Sequence, residues 1–121
     1  MNEMIEILTP NFNHIDERGT LTQLVREGYK QVNVVTSKAG AKRGGHYHKI
    51  NRETFYIIKG KIQVTVRLGD EEQIHYFGAG DMFLIPPLVM HYFTYLEDTT
   101  LIGLYDKGIE LENGNKDIYA C

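Results

Sequence analysis

The sequence predicts an all-β fold, an antiparallel sandwich or small barrel, on three observations. In "KIQVTVRLGD" the apolar residues Ile62, Val64, Val66 and Leu68 interleave with Lys61, Gln63, Thr65 and Arg67, the period of a half-buried strand. Similar short runs recur about every ten residues, separated by turn signals. No stretch carries the 3.6-residue period of an amphipathic helix.

Taken in order, the N-terminal run "EMIEILT" (3–9) reads as a strand able to cover a sheet edge by exchange with a second copy. The runs "GTLTQLV" (19–25) and "QVNVVTS" (31–37) read as strands, and "KAGAKRGG" (38–45) as the turn that follows. Then come "ETFYIIK" (53–59), the run at 61–68, "EQIHYF" (72–77), "DMFLIP" (81–86), "MHYFTYL" (90–96) and "TTLIGLY" (99–105). The turn signals "LGDEE", "GAGD", "PP" and "LEDTT" divide them.

The length of 121 residues, without a Pro/Gly/Ser-rich linker, fits one domain. A chain of this size buries roughly two thirds of its unfolded surface and so needs no structural metal, which makes a bound metal a functional one. A formal net charge of −3 without a Lys/Arg-rich run argues against nucleic acid as a partner. The sole cysteine, Cys121, allows no internal disulfide, and no signal peptide or apolar span is evident. The expectation is a cytoplasmic protein with no membrane association.

The chemistry concentrates in "RGGHYHKINRETFYIIKG" (43–60). Strand alternation projects His46 and His48 from one side, about 6.6 Å apart along the backbone at ~3.3 Å per residue. Beyond the bend "KIN", Glu53 shares a face with Phe55 and Ile57, and a carboxylate on an apolar face needs a partner. Three such groups within eight residues are the donor types of a divalent metal site. His75 reads as a surface residue.

These residues resemble the first motif of the cupin superfamily: Gly40, five residues, His46, one residue, His48, four residues, Glu53, six residues, Gly60. The stretch "GDMFLIPPLVMH" resembles the second, with Gly80, Pro86 and His91, and departs from it in Leu88, where glycine is usual, and in Tyr95, where asparagine is usual. The resemblance implies a single cupin domain, a double-stranded β-helix or jelly-roll barrel. It implies one divalent ion held by His46, His48, Glu53 and His91; such ligands suit zinc, iron, manganese and nickel alike. An ion-free site, in which the histidines bond each other or substrate, is the alternative.

The stretches "DERGTL" and "KRGGHYHK" resemble the signatures of cupins that act on nucleotide-linked 4-keto sugars. One such family is the dTDP-4-keto-6-deoxyglucose 3,4-ketoisomerases. A nearer resemblance is to the cupin half of the capsular polysaccharide enzymes that epimerise a UDP-4-keto sugar at carbon 3 and then reduce it. It rests on the "RGT" start, Asn33, the four-residue gap from His48 to Glu53 and the aromatic strand that follows. The dTDP-sugar 3,5-epimerases carry glutamine where this chain has His48, a difference that favours metal.

The expected activity is epimerisation or isomerisation of a nucleotide-linked 4-keto hexose in surface polysaccharide synthesis, by proton transfer α to the ketone. By alternation from His91, Tyr95 faces inward and is the first acid/base candidate, followed by Tyr47 and Lys49. Arg43 and Lys42 are the expected diphosphate contacts, with Arg18 and Asn33 as further substrate-binding candidates. The partners expected are a second copy in a homodimer and a separate reductase or aminotransferase. The rival readings are a metal-dependent dioxygenase or isomerase of a small metabolite, and a non-enzymatic small-molecule-binding module.

Overall fold

The computed structural model describes residues 3–120, so Cys121 lies outside the described residues. Twelve strands follow in chain order: β1 (Glu6–Leu8), β2 (Phe12–Asp16), β3 (Gly19–Gln23), β4 (Gln31–Ser37), β5 (Lys42–Tyr47), β6 (Glu53–Lys59), β7 (Lys61–Leu68), β8 (Glu71–Gly78), β9 (Met82–Ile85), β10 (Met90–Tyr95), β11 (Thr99–Tyr105) and β12 (Tyr119–Ala120). They build two five-stranded antiparallel sheets, ordered β1-β9-β6-β11-β4 and β12-β5-β10-β7-β8, plus the hairpin β2-β3. This is the expected jelly roll. Chain neighbours such as β5 and β6 fall in different sheets, so the residues flanking one bend supply both walls of the interior.

Period-two alternation explains which faces meet. Ile62, Val64 and Val66 of β7 are buried, and so are His91, Phe93 and Tyr95 of β10, whereas Leu68 at the end of β7 is exposed. Opposite them lie Phe55 and Ile57 of β6 and Leu101 of β11. Strand β9 is buried along its whole length, which fits a short strand between β1 and β6. Between the sheets Phe77 stacks on Phe83 at 4.0 Å, and Phe55 meets Phe93 edge to face at 4.8 Å. Paired rings of this kind add about 0.5–1.5 kcal/mol each beyond their buried area.

Several elements differ from the sequence reading. Residues 42–45, read as part of a turn, belong to β5, whose adjacent glycines hide its alternation. Residues 12–16 form β2, paired with β3 from Phe12↔Gln23 to Asp16↔Gly19. The N-terminal run covers an edge of its own chain, with Glu6 opposite Leu84 of β9. His75 is half-buried rather than on the surface, its ring parallel to Phe77 at 6.1 Å and hydrogen-bonded with the Gln73 side chain.

Leu88 has φ 74°, alone among the non-glycine residues described, and its N–H donates to the His48 carbonyl at 2.7 Å. This is the position where the resembled motif carries glycine. Left-handed backbone costs an L-residue about 1–2 kcal/mol, against about 0.5–1 kcal/mol for the extra entropy of glycine. The Leu88 side chain is exposed and loses little on removal. Leu88→Gly is therefore expected to stabilise the fold by about 0.5–1 kcal/mol, read as a higher urea midpoint at unchanged slope; a lower midpoint would show that the Leu88 side chain contributes more than its backbone costs.

Candidate functional site

His46 on β5 and His91 on β10 lie directly opposite each other in the second sheet, so both rings point to the same side of it. Glu53, at the start of β6 in the first sheet, approaches from across the interior, and His48 follows the end of β5. Their ligand atoms all lie within 4.8 Å of one another, and His48, Glu53 and His91 are buried. Glu53 Oε1 is 3.0 Å from His48 Nε2 and 3.2 Å from His91 Nε2.

Hydrogen bonds outside the cluster fix which ring nitrogens face it. A carbonyl can only accept, so His48 Nδ1–H donates to the Asp117 carbonyl at 2.7 Å and His91 Nδ1–H to the Val89 carbonyl at 3.2 Å. Both Nε2 atoms therefore point inward. His91 Nε2 is buried and approaches Glu53 without hydrogen-bond geometry, which leaves it without a hydrogen-bond partner among the described residues. Burial, then the neighbouring His91, pushes the His46 imidazole down to about 4, so its ring is neutral at neutral pH. Burial alone would raise the Glu53 carboxyl, but His48 and His91 pull it down to about 2. Burial opposes a charge on His48 too, yet the Glu53 carboxylate raises its pKa.

These features fit a divalent ion. Two donors each about 2.0–2.1 Å from one ion, in roughly tetrahedral to square arrangement, lie about 3.0–3.4 Å apart, the spacing of Glu53 from both imidazoles. Ligating histidines usually donate the other ring N–H to a carbonyl or carboxylate, as His48 and His91 do here. The unpaired nitrogen of His91 and the three imidazoles around one carboxylate form a donor set that a cation would complete.

The cluster forms the polar wall of a cavity of about 120 Å³, into which His46, Glu53, His91, Tyr95, Tyr105 and Arg43 project against Phe55 and Phe93. His48 sits behind this wall. Arg43 reaches it through a bulge: opposite β10, His91 faces His46 but Tyr92 faces Gly44 and Phe93 faces Arg43. The extra residue, Gly45, resets the alternation, so that His46 and Arg43 share a face despite an odd spacing. Arg43 Nε donates to Ser37 Oγ at 2.8 Å and its terminal nitrogen to the Thr36 carbonyl at 3.3 Å, tying β5 to the facing edge strand β4. Arg43 also borders a second recess of about 630 Å³ beside Lys38, Lys42 and Lys59, with Asp98 the acidic residue there.

Of the residues singled out in the sequence, Tyr95 lines the cavity, buried and bonded with Ser37, and burial raises its phenol pKa. Tyr47 stacks on Tyr119, and the Lys49 ammonium lies over the same ring at 4.3 Å; neither lines the cavity. Arg18 sits at the tip of the β2-β3 hairpin, paired with Asp16 at 2.6 Å, and Asn33 accepts from Gln31 on β4; neither borders the cavity. Tyr105 escaped the sequence reading. It is the inward residue two beyond Gly103 on β11, its ring edge-on to His48 at 5.5 Å, and burial followed by the Glu53 charge raises its pKa. The alternation of "LIGLY" carried that signal.

The family model described as the polysaccharide biosynthesis C-terminal domain matches residues 14–108. The chain belongs to this family. Over 55 residues the chain is 36% identical to the UDP-2-acetamido-2,6-beta-L-arabino-hexul-4-ose reductase of Pseudomonas aeruginosa, covering 45% of this chain and 15% of that protein. The chain thus spans a minor part of the curated relative it matches. In structure the domain is similar to a doubly substituted QdtA 3,4-ketoisomerase from Thermoanaerobacterium thermosaccharolyticum in complex with TDP, with TM-score 0.74, 25% identity and coverage of 88% of this chain and 82% of that one. It is also similar to the capsular polysaccharide assembling protein CapF from Staphylococcus aureus, with TM-score 0.68, 26% identity, and coverage of 90% of this chain and 33% of that one.

The bulge that aims the site yields a direct test. Gly44 has φ 112°, and a Cβ there would lie 2.7 Å from the His91 carbonyl oxygen and 2.8 Å from Tyr92 Cα. Both obstacles are backbone. Gly44→Ala is expected to cost about 2 kcal/mol or more, measured by urea unfolding; a midpoint unchanged from the parent would show that β10 yields without cost.

Proposed function

We propose that the domain epimerises or isomerises a nucleotide-linked 4-keto hexose, with a divalent ion at the four-residue cluster, by moving a proton α to the ketone. The observation that carries this reading is the continuity at Arg43. One side chain borders both a small cavity walled by His46, Glu53 and His91 and a larger recess flanked by three lysines. A sugar joined to a diphosphate has that division: a neutral ring with a carbonyl at one end and two negative phosphates at the other. The relatives support it, since the QdtA protein is a 3,4-ketoisomerase in complex with TDP and the Pseudomonas protein is named as reductase of a UDP-linked 4-ulose.

Within that reading, each residue has a physical task. Arg43 with Lys42 takes the phosphates, where guanidinium offers paired donors. An ion held by His46, His48, Glu53 and His91 would supply a Lewis acid that lowers the cost of negative charge on a ketone oxygen. Tyr95 is the residue assigned to proton transfer: burial keeps its phenol protonated, while Ser37 and the charge of Arg43 act in the opposite direction and favour the phenolate. Arrival of phosphates at Arg43 thus bears on the basicity of Tyr95. Phe55 and Phe93 line the cavity and would keep water from the reacting carbon, which strengthens every charge interaction at the site.

Proton NMR in deuterium oxide with UDP- and dTDP-4-keto-6-deoxy sugars tests the reaction: the signal at carbon 3 is expected to disappear in the presence of the protein. Absence of exchange with both substrates, in protein that holds its ion, would overturn the sugar-nucleotide reading. His48→Ala is expected to lose bound ion and turnover together, followed by metal analysis and the same exchange assay; full turnover without metal would overturn the metal assignment. Tyr95→Phe, which keeps the ring and removes the hydroxyl, is expected to slow exchange on the order of 10²–10⁴-fold, and an unchanged rate would move the proton-transfer role elsewhere.

A further inference from the structure

We infer that Asp117, near the C-terminus and beyond the residues matched by the family model, is a positioning residue that holds the His48 ring and the loop after it for ion binding. The proposal rests on the metal reading of the cluster.

Asp117 is 1% exposed. Its carboxylate accepts from the backbone N–H groups of Lys49 at 2.8 Å, Ile50 at 3.1 Å and Asn51 at 3.0 Å, and from Asn51 Nδ2 at 2.8 Å. Its carbonyl accepts the His48 Nδ1–H at 2.7 Å. One residue therefore grips both the imidazole and the three residues that follow it, the span that joins His48 to Glu53. Its own N–H donates to the Ile109 carbonyl, and Asn51, fully buried, reaches Gly108 and Lys107. The tail is thus fastened at both ends of the grip.

The consequence for the site follows from geometry. A ring held at Nδ1 keeps Nε2 aimed at Glu53, 3.0 Å away. Without the carboxylate, three loop amides lose their acceptor, the main chain at residue 117 loses its anchor, and the carbonyl no longer has a fixed position under the ring. The His48 imidazole is then free to rotate, and an ion loses one of its four prepared donors. Partners that orient a ligating histidine in this way typically change metal affinity by 10–100-fold.

The test uses the full chain with Asp117→Ala and Asp117→Asn. In ¹H–¹⁵N spectra of the ion-free protein the His48 Nδ1–H is expected as a signal protected from solvent exchange, and that protection is expected to vanish in Asp117→Ala. Titration with cobalt(II), followed by visible absorption, is expected to show about 10–100-fold weaker binding, with circular dichroism matching the parent. Asp117→Asn, which keeps one acceptor oxygen, is expected to fall between the two and carries the test if Asp117→Ala does not fold. Folded variants with a lower melting temperature but the parent's cobalt affinity and the parent's protected proton would overturn the proposal, because Asp117 would then be a purely structural anchor. Parent protein that shows the protected proton and binds cobalt, yet exchanges no sugar proton, would overturn the proposed function and leave this inference standing.

Discussion

A carboxylate buried at 4% exposure is the constraint around which the rest is arranged. An isolated charge taken so far from water is expensive, and His48 and His91 offset that penalty and hold Glu53 ionised. That requirement fixes the register of β10 on β5, where His91 must face His46. It also sets the tautomers of His48 and His91, whose Nδ1 protons are drawn off to carbonyls on the far side. The apolar core supplies the complementary condition, because Phe55, Phe83 and Phe93 keep water from relieving the charge.

The strands with unbroken alternation were legible from the residues alone. Those at 61–68, 90–96 and 99–105 fall close to β7, β10 and β11, because burial of one face is written directly into their period. The four clustered donors were also legible, because His46, His48 and Glu53 are close in sequence and His91 falls in a recognisable second motif. What was hidden is informative. The first part of strand β5 could not be seen behind Gly44 and Gly45, since glycine has no side chain with which to mark a face. Strand β2 carries its apolar residues, Phe12 and Ile15, exposed on a hairpin rather than in the core, so core-directed patterning had nothing to report.

Tyr47 and Lys49 illustrate a different limit. Proximity in sequence to two ligand histidines suggested a role in chemistry, but alternation sends Tyr47 to the other face, where Tyr119 and Lys49 pack with it. Arg43 is the converse case. By simple alternation it belongs opposite His46, and only the bulge brings it to the same side. Tail contacts such as those of Asp117 are separated from their partners by 66 to 69 positions, and no local pattern announces them.

The distribution of the donors has a mechanical consequence. His46 and His91 belong to one sheet and Glu53 to the other, so anything grasped by all of them rivets the two leaves of the sandwich together. Breathing of the leaves and occupancy of the cluster then oppose each other: thermal motion that parts the sheets also empties the grip. Arg43, which crosses from β5 to Ser37 and Thr36 of β4, is a second tie between the same two leaves.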